Sequence, residues 1–178
     1  PVVTGTIVPY NGFASVSVPV PATLAIAAAW DITPQTTIEL VIERNYWSEY
    51  EQLDFNYGAK VHPLVDAVFG APLAKNYKDA NAFRLGLTHK YSQQWTAMAG
   101  YAYDETPVPE GTLGYELPDS DAHIFSVGGR YKMSDDMSIG AALLYDYKQS
   151  RTVNNGSIAG EFSNASALLA TLGIEVVL

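Results

Sequence analysis

Cysteine is absent from the 178 residues, which removes disulfide scaffolds and thiolate-based metal or catalytic sites. Positive charge is scarce: ten Lys and Arg against nineteen Asp and Glu leave a formal charge of −9. No basic stripe is present to follow a phosphate backbone, so nucleic acid is not an expected partner. Long apolar runs are missing as well. The longest, "LAIAAAW" from Leu24 to Trp30, falls far short of the roughly 20 residues a membrane-spanning helix needs. The first residues, "PVVTG", carry neither an initiator Met nor a signal-peptide apolar region, the pattern expected of a processed product or a fragment. His62, His89 and His123 are scattered without metal-ligand spacing. There is no Gly-x-Ser-x-Gly and no phosphate-binding glycine loop, so neither an enzyme nor a bound cofactor is expected.

What the chain does have is aromatic residues, twelve Tyr and three Trp, and a hydropathy period of two. Residues 1–12 carry Pro1, Gly5, Pro9 and Asn11-Gly12 and read as loop or linker; residues 13–178 read as part of one β domain. Alternation runs through 13–20, 23–31, 37–46, 81–91, 95–105, 122–131, 137–148 and 165–178, about eight strands. In 95–104, for example, Trp95, Ala97, Ala99, Tyr101 and Tyr103 share one parity, and Thr96, Met98, Gly100, Ala102 and Asp104 the other. Connectors alternate between tight polar turns (32–35, 92–94, 133–136) and long segments (58–79, 106–121 and a hairpin around Asn155-Gly156). Short turns at one end and long loops at the other are the pattern of an antiparallel transmembrane β-barrel, and nine or ten residues per strand suffice to cross hydrocarbon at a tilt.

A soluble β-sandwich or lipocalin-like barrel would alternate too. Two features weigh against it. The apolar parity ends in aromatics, namely Trp30, Tyr46, Tyr91, Trp95, Tyr103, Tyr131 and Tyr147, as an interfacial belt requires. The opposite parity is rich in Gly, Ser and Thr with isolated charges, which suits a wet or plugged lumen better than an open solvent face. Its charged residues are Asp31, Glu39, Glu43, Arg84, Lys90, Asp104, Arg130, Asp146, Lys148 and Glu175. Glu39 and Glu43 are expected one strand from Arg84, and Arg130 one strand from Asp146 and Lys148, so opposite charges can pair across neighbours. Such a network either anchors whatever fills the lumen or simply forms static ion pairs. Arg44 breaks the pattern by falling on the lipid parity between Ile42 and Tyr46, where it is expected to snorkel or to be re-aimed by a bulge.

Several stretches together resemble a known family. "NYWSEYEQLDF" (45–55), "FRLGLTHKYSQQWTAMAGYAYDETPVP" (83–109), "ELPDSDAHIFSVGGRY" (116–131) and "MSIGAALLYDYK" (137–148) follow the order and spacing seen in the C-terminal half of FadL/TodX-type outer-membrane transporters. The resemblance is carried by Gly100, Tyr101, Tyr103, Asp104, Pro107 and Pro109, then Leu117, Pro118 and Asp119, then Gly128 and Tyr131, and covers roughly 13–178. It implies a 14-stranded barrel in the Gram-negative outer membrane, of which this chain holds about eight strands. It also implies passive uptake of long-chain fatty acids or other hydrophobic small molecules, with a hatch in the lumen and a sideways exit beside a kinked strand. The partners implied are membrane lipid and lipopolysaccharide, an apolar substrate, and the N-terminal half of the barrel or another copy of the chain. The ending "GIEVVL" departs from the terminal aromatic usual in such barrels.

One long connector, "VHPLVDAVFGAPL" (61–73), is unusually apolar, and Val61, Leu64, Val65 and Val68 have helical spacing. With Phe69 and Leu73 they are candidate contacts for an apolar ligand, whose burial contributes about 0.8 kcal/mol per CH₂. A loop helix packed on its neighbours would use the same residues. Two rival functions are a self-contained eight-stranded anchor or adhesin and a soluble lipid-binding barrel. The anchor predicts that strand 13–20 pairs with strand 165–178.

Overall fold

In a computed structural model the chain is described over residues 12–57 and 70–177. Its strands are, in chain order, β1 (Ala14–Val16), β2 (Thr23–Thr33), β3 (Thr36–Asn45), β4 (Gln52–Leu53), β5 (Phe55–Tyr57), β6 (Leu73–Ala74) and β7 (Ala80–Lys90). They continue with β8 (Trp95–Asp104), β9 (Ala122–Lys132), β10 (Met137–Lys148), β11 (Arg151–Asn154), β12 (Ala159–Phe162) and β13 (Ser166–Val176). Single 3₁₀ turns lie at Trp47–Glu49 and Glu110–Thr112. Seven long strands make one sheet in the order β13-β10-β9-β8-β7-β3-β2, with every neighbouring pair antiparallel. Among the described residues the sheet is open, with β2 and β13 at its edges.

The expected strand over residues 13–20 is not a spanning strand. Only Ala14–Val16 are extended, and they pair with Phe55–Tyr57 in a ribbon outside the large sheet. Pro19 and Pro21 lack the N–H that a central strand must donate, so the segment cannot continue in the sheet. Among the described residues the pairing of 13–20 with 165–178, on which a closed eight-stranded barrel rests, is not formed; there β13 pairs with β10 alone.

A register that shifts only beside Asp31 and Thr33 sorts the side chains of the sheet into two faces, because directly paired residues point the same way. One row reads Leu40, Leu85, Tyr101, Phe125, Tyr145 and Leu168. The row beside it, on the opposite face, reads Glu39, Gly86, Gly100, Ser126, Leu144 and Leu169. Three tight connectors (34–35, 91–94 and 133–136) sit at one end, and the long segments at the other. Burial is inverted relative to a water-soluble sheet. Leu85, Phe125 and Leu168 are 49%, 50% and 72% exposed, and the whole apolar face is left uncovered. Water would not tolerate a patch of that size, and hydrocarbon removes the penalty. The buried apolar residues (Tyr50, Ala80, Ala82, Val108, Leu113, Ala122, Val153, Ile158) all lie at the long-loop end.

Arginine in place of Val127, midway along β9 on the apolar face, is expected to destabilise the complete protein in phospholipid vesicles by about 2–4 kcal/mol. Arginine in place of Ser126 on the other face is expected to cost well under half as much. Urea titration of both variants measures the difference.

Candidate functional site

At the long-loop end three connectors fold over the sheet and lock together. Residues 46–57 and 70–79 bring Trp47, Tyr50 and Tyr77 into an edge-to-face cluster, with Tyr50 and Tyr77 centroids 4.9 Å apart and Trp47 and Tyr77 5.9 Å apart. Val108 and Leu113 from the second connector pack with Val153 and Ile158 of the β11–β12 hairpin, flanked by Tyr77 and Phe162. Asn155 joins the two: its amide donates to the carbonyls of Glu110 (2.9 Å) and Leu113 (3.0 Å), and its side-chain oxygen accepts from the Ser157 and Ile158 amides. Gly156, at φ +86°, supplies the left-handed residue that this Asn-Gly turn needs.

Two carboxylates in the Leu117-Pro118-Asp119 segment and just after it organise the rest. Asp121 accepts the Tyr103 hydroxyl (2.8 Å) and the Thr106 amide (2.9 Å). Asp119 accepts the Lys148 ammonium (2.6 Å) and the Thr106 hydroxyl (2.6 Å), while its carbonyl accepts Arg151 at 2.8 Å. The second Arg151 nitrogen donates to the Val108 carbonyl at 2.7 Å. Lys75 pairs with Glu116 at 2.6 Å, and the Thr112 hydroxyl donates to the Lys75 carbonyl. Each connector is thus tied to another by charge-assisted bonds, the stronger kind.

Beneath this cap lies a cavity of about 300 Å³. Trp47, Tyr77, Pro107, Val108 and Leu117 form its apolar wall, and Asn45, Ala80, Asp104, Ala122 and Lys148, at the top of the polar face, form its floor. Lower on that face a groove of about 340 Å³ runs past Glu39, Thr88, Met98 and Ser126. Glycine keeps it open: a Cβ at Gly128 would stand 3.1 Å from the Ala142 Cβ, tighter than ordinary contact, and one at Gly100 would collide with the Ser126 hydroxyl.

The charged residues singled out from the sequence meet different fates. Glu43 and Arg84 pair at 3.0 Å, as their strand order predicts. Arg130 does not reach Asp146. Register sets Arg130 opposite Gly140 and Asp146 opposite Ile124, so Arg130 pairs instead with Glu175, two strands away, at 3.3 Å. Among the described residues Asp104 and Glu39 accept no hydrogen bond and join no ion pair, and the Asp146 Oδ1 atom is buried without a partner. Lys148 turns to Asp119 in the cap. No bulge re-aims Arg44: Asp79 (3.0 Å) and Asn81 (3.1 Å) hold it at the long-loop end, 5.7 Å over the Tyr46 ring.

Of the aromatic residues, Tyr46, Tyr103 and Tyr147 stand at the long-loop end, and Trp30, Tyr91, Trp95 and Tyr131 toward the other; the Trp95 and Tyr131 rings meet at a tilt, centroids 4.7 Å apart. Val61, Leu64, Val65, Val68 and Phe69 lie outside the described residues, and Leu73 is half exposed in β6 opposite Leu53. Leu144, Leu169 and Ile124 also face the polar side and make an apolar shelf there, which the sequence pattern does not announce. Their signal was weak because each interrupts a polar parity only once.

The family model described as outer membrane protein transport protein (OMPP1/FadL/TodX) matches residues 3–174. The chain belongs to that family. Long-chain fatty acid transport proteins of Salmonella typhi and Escherichia coli are each 28% identical over 155 residues, which is 84% of this chain and 34% and 33% of theirs. A 47 kDa outer membrane protein of Pasteurella multocida is 24% identical over 88% of this chain and 35% of its own length. The chain therefore spans about a third of the length of these relatives. A FadL homologue from Pseudomonas aeruginosa superposes with a TM-score of 0.70 at 20% identity, covering 91% of this chain and 35% of that one. The Pseudomonas putida toluene transporter TodX does so at 0.59 and 18%, over 90% and 35%. These likenesses establish the barrel fold. The OMPP1/FadL/TodX family is one of Gram-negative outer-membrane transport proteins, not enzymes, so the long loops of this family member are extracellular and its short turns periplasmic.

The extracellular cap of this FadL/TodX-type chain has a built-in sensitivity to acid. The hydrogen bond from Lys75 holds the Glu116 carboxyl below its ordinary value of 4.5. Burial pushes Lys75 down, but the hydrogen bond and charge of Glu116 outweigh it and leave the ammonium above its ordinary 10.5. The lowered carboxyl therefore stabilises the cap fully above about pH 4.5, and that contribution is lost as the pH falls through the folded value; the raised ammonium keeps its contribution until above 10.5. Glu116 is largely exposed, so the effect is modest. Hydrogen exchange in residues 105–121, corrected for intrinsic rates, is expected to speed up below that pH in the native protein. In Lys75→Met this acid-dependent component is expected to vanish.

Proposed function

We propose that the protein takes part in moving hydrophobic small molecules across the outer membrane, and that the cavity under the cap is where they leave water. The observation that carries this reading is the cavity's construction: a wall of Trp47, Tyr77, Val108 and Leu117 at the extracellular end, over a floor that is the top row of the polar face. An apolar molecule gains about 0.8 kcal/mol per CH₂ buried there, and the open polar side leaves it a way onward. Passage is by diffusion down a gradient. The polar face is the lumen wall, where the Glu43–Arg84 and Arg130–Glu175 pairs, with Glu39, Asp104 and Asp146, offer sites for a lumen plug. The apolar face meets lipid, and its two sets of aromatics sit near the headgroups. Trp95 and Tyr103 are eight residues apart on β8, about 26 Å along a strand at 3.3 Å per residue, the scale of the apolar band. Lipopolysaccharide covers the outer rim. The rest of the wall comes from strands outside this chain, in an N-terminal half or in another copy.

The test fills the cavity. In cells lacking any other such transporter, the complete protein with Leu117→Trp is expected to take up radiolabelled dodecane several-fold more slowly than the unaltered protein. Heat-modifiable electrophoretic migration checks that the barrel is intact. Unchanged uptake by a folded variant would sink the reading.

A further inference from the structure

The charges around the cavity under the cap favour one class of ligand head over another. Lys148 is the cation on its lining, and its charge is already neutralised: Asp119 holds it at 2.6 Å, with the Ser120 carbonyl at 3.4 Å. Asp119 cannot easily give way to an incoming anion. Its second oxygen is bound to the Thr106 hydroxyl and its carbonyl to Arg151, so freeing Lys148 means undoing the cap. The other lining charges are carboxylates. Glu105 accepts the backbone and side-chain amides of Asn81, at 3.0 Å and 2.7 Å, on its Oε2 atom. Asp104, the last residue of β8, differs: among the described residues it accepts no hydrogen bond and joins no ion pair, while sharing the cavity with the Trp47 and Tyr77 rings.

A polar head entering this cavity therefore meets an acceptor with no hydrogen bond of its own, on a described lining where Asp104, Glu105 and Asp119 outnumber a cation that Asp119 already pairs. Aromatic walls add to the bias, since their faces attract positive and repel negative charge. We propose that the cavity selects apolar molecules whose head is a neutral hydrogen-bond donor or a cation, and disfavours free carboxylates, with Asp104 as the residue that sets this preference. The inference rests on the cavity being the capture site proposed above. It goes beyond it by naming the head chemistry, which differs from the carboxylate of the fatty acids for which the transport relatives are named.

The experiment uses the complete protein in amphipol, with the fluorescent probe N-phenyl-1-naphthylamine displaced by 1-dodecanol, dodecylammonium or dodecanoate at neutral to mildly alkaline pH. Dodecanol and dodecylammonium are expected to displace the probe at concentrations about tenfold or more below dodecanoate. Asp104→Asn is expected to bring dodecanoate to within about threefold of dodecanol, because the repelling charge is gone and the shape is kept. Lys148→Met, which leaves Asp119 uncompensated, is expected to widen the gap. If dodecanoate matches dodecanol, or if Asp104→Asn leaves the gap unchanged, the selectivity proposal is overturned. Leu117→Trp separates this from failure of the underlying reading. If that substitution leaves displacement by all three molecules unaltered, the cavity is not the capture site, and the selectivity proposal falls with it.

Discussion

Everything in this chain depends on the backbone having no water to turn to across the middle of the sheet. In hydrocarbon each N–H and C=O must find a partner within the protein, and six antiparallel pairings supply them without a register break except beside Asp31 and Thr33. Tight turns clamp that register: the Tyr91 amide bonds the Trp95 carbonyl and the Met133 amide that of Met137. Once the register is set, the side chains have no freedom of face. A slip of one residue would carry Arg84 and Asp104 to the lipid and Leu85 and Tyr103 inward, so the alternation and the ladder enforce each other. The outer edges of β2 and β13 carry the same demand, and a complete wall must pair them.

The extracellular cap follows a different logic. It is surrounded by water, carries the true hydrophobic core and is closed by ion pairs and side-chain bonds to backbone that join short ladders such as β4–β6 and β11–β12. Asp119 and Asp121 are its hub, because the two nearby acids reach β8, Thr106 in the connector after it, β10 and the β11–β12 hairpin together. That arrangement fixes the shape of the cavity below it. A rigid roof over an apolar wall is what allows a small number of polar groups to discriminate between heads, since a floppy loop would simply carry its charges away from an unfavourable guest.

Between the two zones, unmatched polar groups gather on the inner face of the barrel wall. Glu39, Asp104 and the buried oxygen of Asp146 lie there beside the shelf of Ile124, Leu144 and Leu169. An isolated soluble domain would rarely leave a buried carboxylate oxygen unbonded, because desolvation without compensation is costly. On the wall of a wider lumen the same groups are available to whatever occupies it.

The sequence by itself determined the class of the protein and nearly all of its spanning elements. A period of two with aromatic ends reports the two-faced environment of each strand, and that environment is local: it is written in the residues of one strand alone, as 137–148 illustrates by coinciding with β10 residue for residue. The ordered motifs around Gly100–Pro109 and Leu117–Asp119 carried the family. The misjudged strand, 13–20, alternates like the others, and only its prolines betray it. Pairings were legible only where neighbouring strands were obvious, as for Glu43 and Arg84. Tertiary structure alone decided that Arg130 reaches past β10 to Glu175, that Lys148 leaves the inner wall for Asp119, that Arg44 is held by Asp79, and that Trp47, Tyr77 and Leu117 close over one cavity. The three ion pairs join residues from 29 to 45 positions apart, and the cavity wall reaches further still, from Trp47 to Leu117, through the relative stagger of strands and the path of three long loops, which no periodicity within a single strand encodes.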